Sequence, residues 1–220
     1  MKRMALFLAS LMLGGCVSTR SVPTPSGALD HFQGQSLTVV TYKKPDFSAQ
    51  TYGRAMIGGL IGAGVMISEG DALIAQNNVP DPAVQVSETL ASRLKARMAS
   101  VNVNRLADQD TKGDTEEVLS ADAGHAGLVL DVETINWMFL YYPLDWTHYR
   151  VMMTLRARLI DAESGKRLSQ APCTYLSDDK SPPDYDHLVA ERAAVLKTML
   201  AAGADVCVGK MTAGLLGGQM

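Results

Sequence analysis

Three cysteines carry the clearest chemistry in this 220-residue chain. Cys16 follows Gly14 and Gly15, behind Lys2, Arg3 and an apolar run from Ala5 to Leu13. A basic start, a short apolar run and small residues at a cleavage point form the order of a secretory signal. The run is about half of the ~20 residues that a spanning helix needs, so it reads as a removable segment over residues 1–15. Export would place Cys173 and Cys207 in an oxidising compartment as one possible pair. A disulfide is expected there, closing a loop of about 35 residues and worth a few kcal/mol in the chain-entropy model. The alternative is two buried thiols. Neither lies in a Cys-x-x-Cys motif, so no redox-active role is expected.

The other ionisable groups form no catalytic constellation. His31, His125, His148 and His187 are scattered. Asp184-Tyr185-Asp186-His187 has metal-ligating types, but an acidic helix start explains the same spacing. There is no Gly-x-Ser-x-Gly, His-Glu-x-x-His, phosphate loop or dinucleotide fingerprint. Catalytic groups can meet in space without a local motif, yet the expectation is a non-enzyme without cofactor or metal. The net charge is −3. An acidic chain lacks the counterion-release term that drives nucleic-acid binding, so no such partner is expected.

Two segments have the character of contact surfaces. Gly58 and Gly62 are spaced Gly-x-x-x-Gly within a glycine-rich apolar stretch, which lets a second backbone approach closely. The stretch could contact a protein, insert in a membrane or lie on its own sheet. The second segment gathers Trp137, Phe139, Tyr141, Tyr142, Trp146 and Tyr149 around Pro143-Leu144-Asp145. An aromatic hairpin tip suits a partner contact, a membrane interface or stacking on sugar rings. It could equally be a satellite hydrophobic cluster.

The elements that would position these residues read as a single α/β (α+β) domain over 36–207. Residues 16–35, rich in Ser, Thr, Pro and Gly after Cys16, read as a flexible tether, and 208–220 as a flexible glycine-rich tail. Ser36–Tyr42 is β-branched and aromatic, a first strand. Gly53–Ala75 reads as a helix despite its glycines. Asp81 is a good N-cap and Pro82 suits the first helical position. Ala83, Val86, Leu90, Leu94 and Met98 then recur at helical spacing. Val101–Asn104 alternates as a second strand, and Asp114 with Glu117 forms a capping box. Gly127–Asn136 reads as a buried central strand, 149–159 alternates with period two, and Arg167–Leu176 returns after a turn at 161–166. Asp184 or Asp186 caps a last helix. The order is β-α-α-β-α-β-β-β-α, a mixed sheet of about five strands with helices mainly on one face.

Two resemblances add to this reading. Leu13-Gly14-Gly15-Cys16 resembles a bacterial lipoprotein signal, which implies cleavage before Cys16 and acyl chains on its thiol and new amino group. Several such chains anchor a soluble domain stably. Val17, where an aspartate would retain an enterobacterial lipoprotein at the inner membrane, implies an outer-membrane address. The element order, the stretch Ala123-Gly124-His125-Ala126-Gly127-Leu128-Val129-Leu130 and the turn Arg158-Leu159-Ile160-Asp161-Ala162-Glu163-Ser164-Gly165-Lys166 resemble the TolB amino-terminal-domain module. That module is shared with curli-secretion lipoproteins and lipoprotein activators of peptidoglycan synthases. The likeness covers about 36–207 and implies binding and assembly, with no catalytic residue. Trp137–Thr147 is too short for the membrane-crossing hairpins of curli-type pores, given ~9–11 residues per crossing strand.

The expectation is therefore a lipid-anchored periplasmic binding or assembly component of an outer-membrane secretion, surface-structure or cell-wall machine. Its expected contacts are Gly58, Gly62, Trp137, Tyr141, Tyr142 and Trp146, toward a protein partner or a second copy of the chain. A ligand-binding or hydrolytic protein with a pocket near 137–149, and a membrane-perturbing lipoprotein using the glycine-rich helix, are the alternatives.

Overall fold

The computed structural model describes residues 20–55, 59–99, 102–109 and 115–216. Cys16, the signal, Gly58, Val101, Asp114 and the last four residues of the tail lie outside the described residues.

A six-stranded mixed sheet forms the spine. Strand β1 (Leu37–Tyr42) runs parallel to β3 (Val103–Gln109) on one side and to β4 (Leu128–Tyr142) on the other. Antiparallel β5 (Asp145–Asp161) and β6 (Lys166–Leu176) complete the order β3-β1-β4-β5-β6. The short β2 (Ser48–Gln50) continues the parallel edge, pairing Met138–Leu140 of β4 beyond the end of β1. Leu37 and Val39, Leu128 and Leu130, and Val151, Met153 and Leu155 alternate onto one face, as period-two strands must.

Helix α3 (Pro82–Met98) buries Val86, Leu90, Leu94 and Met98 on β1 and β4, and α5 (Tyr185–Leu216) covers β5 and β6. Asp81 caps α3, accepting the Ala83 amide at 2.9 Å, with Pro82 opening the helix. Helices α1 (Tyr52–Ala55) and α2 (Gly59–Asn77) stand beside β2. Among the described helices, only α4 (Glu116–Asp122) lies on the other face, over Val40, Val129 and Ile160 through Leu119. Its cap is Thr115, which accepts from the Val118 amide. Beside it Arg158 pairs with Asp131, which also accepts the Tyr42 hydroxyl at 2.6 Å.

The chain ends differ from the sequence expectation. Of the expected tether, residues 20–35 are packed on the domain. Val22 bridges Gln170 of β6, Thr24 donates to the Leu215 carbonyl, and a 3-10 helix (Ala28–Phe32) buries Leu29 and Phe32. Of the expected tail, 208–216 continues α5 and buries Val208, Met211, Thr212 and Leu215. Long-range contacts, which composition does not reveal, order both ends.

Cys173 on β6 and Cys207 on α5 are both buried and joined by a disulfide with Cα atoms 5.5 Å apart. Gly203, one turn earlier on α5, faces Met153 and Tyr175 so closely that a Cβ would collide with both side chains. Disulfide and glycine together seat the helix directly on the sheet.

Candidate functional site

The long β4–β5 hairpin ends in a two-residue turn, Pro143-Leu144, between the paired Tyr142 and Asp145. Proline first and a left-handed residue second is the combination a type II turn requires, and Leu144 has φ 67°. That second position favours glycine or asparagine, because a Cβ is strained there. Leu144 is also 96% exposed. Its side chain therefore serves the fold neither by conformation nor by burial.

Around this turn the aromatic residues separate into two sets. Trp146, 50% exposed, stacks on Tyr52 with ring centroids 4.2 Å apart and planes 3° from parallel. Tyr141 meets Tyr52 edge-on at 6.1 Å. Tyr142 lies under the Arg150 guanidinium at 5.0 Å, and its hydroxyl accepts the Asp179 amide. These side chains are at least partly accessible. Trp137 is not: it is 1% exposed, packs edge-on against Phe47 at 4.9 Å, and donates Nε1–H to the Pro45 carbonyl. Sequence proximity grouped Trp137 with the surface aromatics; its inward phase on β4 makes it a core residue, with Phe139 two positions on.

Tyr52 connects the tip to the glycine-rich helix. From Gly59 to Ser68, α2 carries no charged residue, and Ile61 is 77% exposed with Ile67 also exposed. Gly62 is buried. The glycine of closest approach is Gly70, where a Cβ would fall inside the Phe47 carbonyl, while Asp71 accepts the Phe47 amide at 2.7 Å. Close packing of this helix is thus directed inward at Gly70, and Ile61, nine residues before it, lies on the opposite side of the helix. The pairing of Gly70 with Asp71, the first acid after Glu69, is the signal that could have located the inward face.

The rim of the tip is acidic. Asp145 accepts the Thr147 hydroxyl at 2.9 Å and faces His148 Nδ1 at 2.8 Å, and these bonds, that of Thr147 foremost, hold its carboxyl below the usual range. Asp184 accepts the His187 amide at 2.8 Å, the bond of an acidic helix start. Among the described residues no group of three His, Cys, Asp or Glu side chains is arranged to hold a metal ion.

Two of the cavities among the described residues lie elsewhere. A groove of about 160 Å³ runs between α3 and α5, past Pro80, Asp81, Val84, Lys197 and Leu200. An open depression lies between the start of α4 and the β5–β6 turn. Neither is lined by residues 137–149. At the first, burial pushes the Asp81 carboxyl up, against the lowering effect of the Thr134 hydroxyl at 2.5 Å, the Ala83 amide and Lys44.

No family model matches this chain, and no curated protein matches its sequence. Among solved structures, it is similar to the PelC dodecamer from Paraburkholderia phytofirmans. Identity is 16%, over 86% of this chain and 94% of that one, with a TM-score of 0.36. It is also similar to a putative neuraminyllactose-binding hemagglutinin homolog from Helicobacter pylori, at 10% identity, 82% of each chain and a TM-score of 0.37. The lipoprotein GNA1162 from Neisseria meningitidis matches at 17% identity, over 79% of this chain and 97% of that one, with a TM-score of 0.29.

Proposed function

We propose that this chain is a non-catalytic, lipid-anchored component of the bacterial outer membrane. In this reading it faces the periplasm and binds or assembles a secretion, surface-structure or cell-wall machine. Its anchor is the acylated Cys16, and its contact surface is the end of the domain formed by Leu144, Trp146, Tyr52, Tyr141 and the exposed side of α2. The observation that carries the reading is Leu144. An almost fully exposed leucine in a conformation that favours glycine contributes to the fold on neither count, and an apolar anchor for a partner accounts for both departures. Ile61 and the stacked Trp146 are further exposed apolar side chains, of the kind that marks interaction sites on soluble domains.

The anchor fits this use. Cys16 precedes Arg20 by four residues, which reach at most about 14 Å. The chain beyond Arg20 is already bound to β6 at Val22. Acylation would therefore hold the domain against the membrane and raise its effective concentration for other envelope components.

The test replaces Leu144 by glycine and Trp146 by alanine, with cross-linking in intact cells and recovery of the acylated protein. Leu144→Gly is expected to raise Tm while both variants lose the co-purifying component. Recovery of the same component in wild-type yield from both variants would overturn the reading. So would a mass spectrum of a mature chain without acyl groups on Cys16.

A further inference from the structure

Outside the hairpin turn, most of the left-handed backbone in this molecule is explained. Asn78 and Ala99 lie just past α2 and α3, where one such residue closes a helix end, and His125 follows the left-handed Gly124 in the turn after α4. Three others are consecutive and lie inside α5: Glu191 (φ 51°), Arg192 (φ 59°) and Ala193 (φ 56°). Ala190 before them is extended, with ψ 161°. L-residues adopt this conformation singly and at a cost; a run of three without glycine is backbone strain that its surroundings must hold in place.

The turn divides α5 into two parts that are held very unequally. After it, Leu196, Leu200, Ala204, Cys207 and Met211 are buried, and Cys207 is bonded to Cys173. Before it, Leu188 is the one buried residue of the first turn. The remaining hold is Val189, half-buried against the core, and a set of local contacts at the aromatic end. Tyr185 lays its ring against Phe139 at 6.1 Å and Tyr149 at 6.0 Å. The Tyr149 amide donates to the Pro183 carbonyl at 2.8 Å, and Asp184 forms an isolated bridge with His148.

We propose that residues 184–189 form a strained latch, hinged on 190–193, that opens as a unit while the rest of α5 stays seated. Opening lifts Tyr185 from Phe139 and Tyr149, both otherwise buried, and adds their rings to the surface at Trp146 and Leu144. Strain in the closed form is released in the open one, which makes opening easier than for an ordinary helical turn. The opening is a property of the chain alone; its use, exposing more surface to a partner, rests on the reading of the aromatic end as the contact.

Amide hydrogen exchange on the full processed protein without partner tests the latch. Amides of residues 186–189 are expected to exchange at least about tenfold faster than those of 196–212. Glu191→Gly with Arg192→Gly relieves the strain, because glycine has no Cβ penalty at positive φ. That variant is expected to slow exchange in the latch and to raise Tm, whereas in an ordinary helix both glycines lower it. If the double variant does not fold, Arg192→Asn, which also tolerates this conformation, is read in the same way. Uniform protection from 186 to 212, or a fall in Tm with either variant, overturns the latch. Partner cross-linking is a separate arm: its absence in the wild-type protein alongside fast latch exchange defeats the contact reading and leaves the latch standing.

Discussion

Helices α2 and α5 are both apolar and both interrupted by glycine, yet the molecule treats them oppositely. Past its strained turn, α5 presents Leu196, Leu200, Ala204, Cys207 and Met211 to the sheet and is tied down by a disulfide. The first half of α2 buries Gly62, leaves Ile61 and Ile67 exposed, and is held chiefly from its second half, where Gly70 sits on Phe47. Apolar composition alone therefore does not tell a core helix from a contact helix; what matters is which side chains the sheet has already covered. Among the described side chains of that half the covered residue is a glycine, and the bulky Ile61 and Ile67 are left over.

The difference between the two helices is largest at the α5 disulfide. Replacing Cys173 and Cys207 by alanine removes the cross-link over a 34-residue separation and is expected to cost about 3–4 kcal/mol of stability. Denaturant unfolding measures this, and a change near zero would mean that α5 is seated by its apolar face alone. On α2, Gly70→Ala forces a methyl group into the Phe47 carbonyl and is expected to cost about 1–3 kcal/mol, with α2 loosened from β2. Exchange of the Phe47 amide, now bonded to Asp71, reports the loosening.

Asp81 separates a capping role from a charge. Asp81→Ala removes the α3 cap and is expected to cost about 1 kcal/mol, while Asp81→Asn keeps the cap. Burial raises the Asp81 carboxyl, so the folded state binds its proton more tightly than the unfolded state does. The stability gained from this is present below the ordinary carboxylate range. It is lost as pH rises from that range through the folded value. Asn has no proton to lose, so Asp81→Asn should flatten this fall and be at least as stable as wild type at neutral pH. An Asn variant with the wild-type pH profile would contradict the assignment. The smallest stability effect belongs to Ile61→Ser, expected within about 0.5 kcal/mol, together with a loss of the cross-linked partner. A large loss of stability would instead make Ile61 part of the core.

Local chemistry was legible in the sequence. Asp81-Pro82 announces the start of α3, and the alternation of Tyr149, Val151, Met153 and Leu155 announces β5, because both signals act within a few residues. What tertiary contact decides was not legible. β2 is three residues long and exists because β4 runs past β1. Residues 20–35 read as a tether because the bridge from Val22 to Gln170 spans most of the chain. Trp137 and Trp146 look alike in sequence, and only the phase of β4 and the position of the hairpin turn tell the core ring from the surface one. Ala190–Ala193 is made of good helix formers, so nothing in its composition signals a left-handed turn.

The most direct measurement is site-specific photo-cross-linking in intact cells, with a photoreactive residue at 144, at 61 and, as a control, at the exposed Lys95 of α3. Discrete protein adducts are expected from positions 144 and 61 and none from 95. Equal labelling at all three positions, or no adduct at 144 and 61, would contradict it.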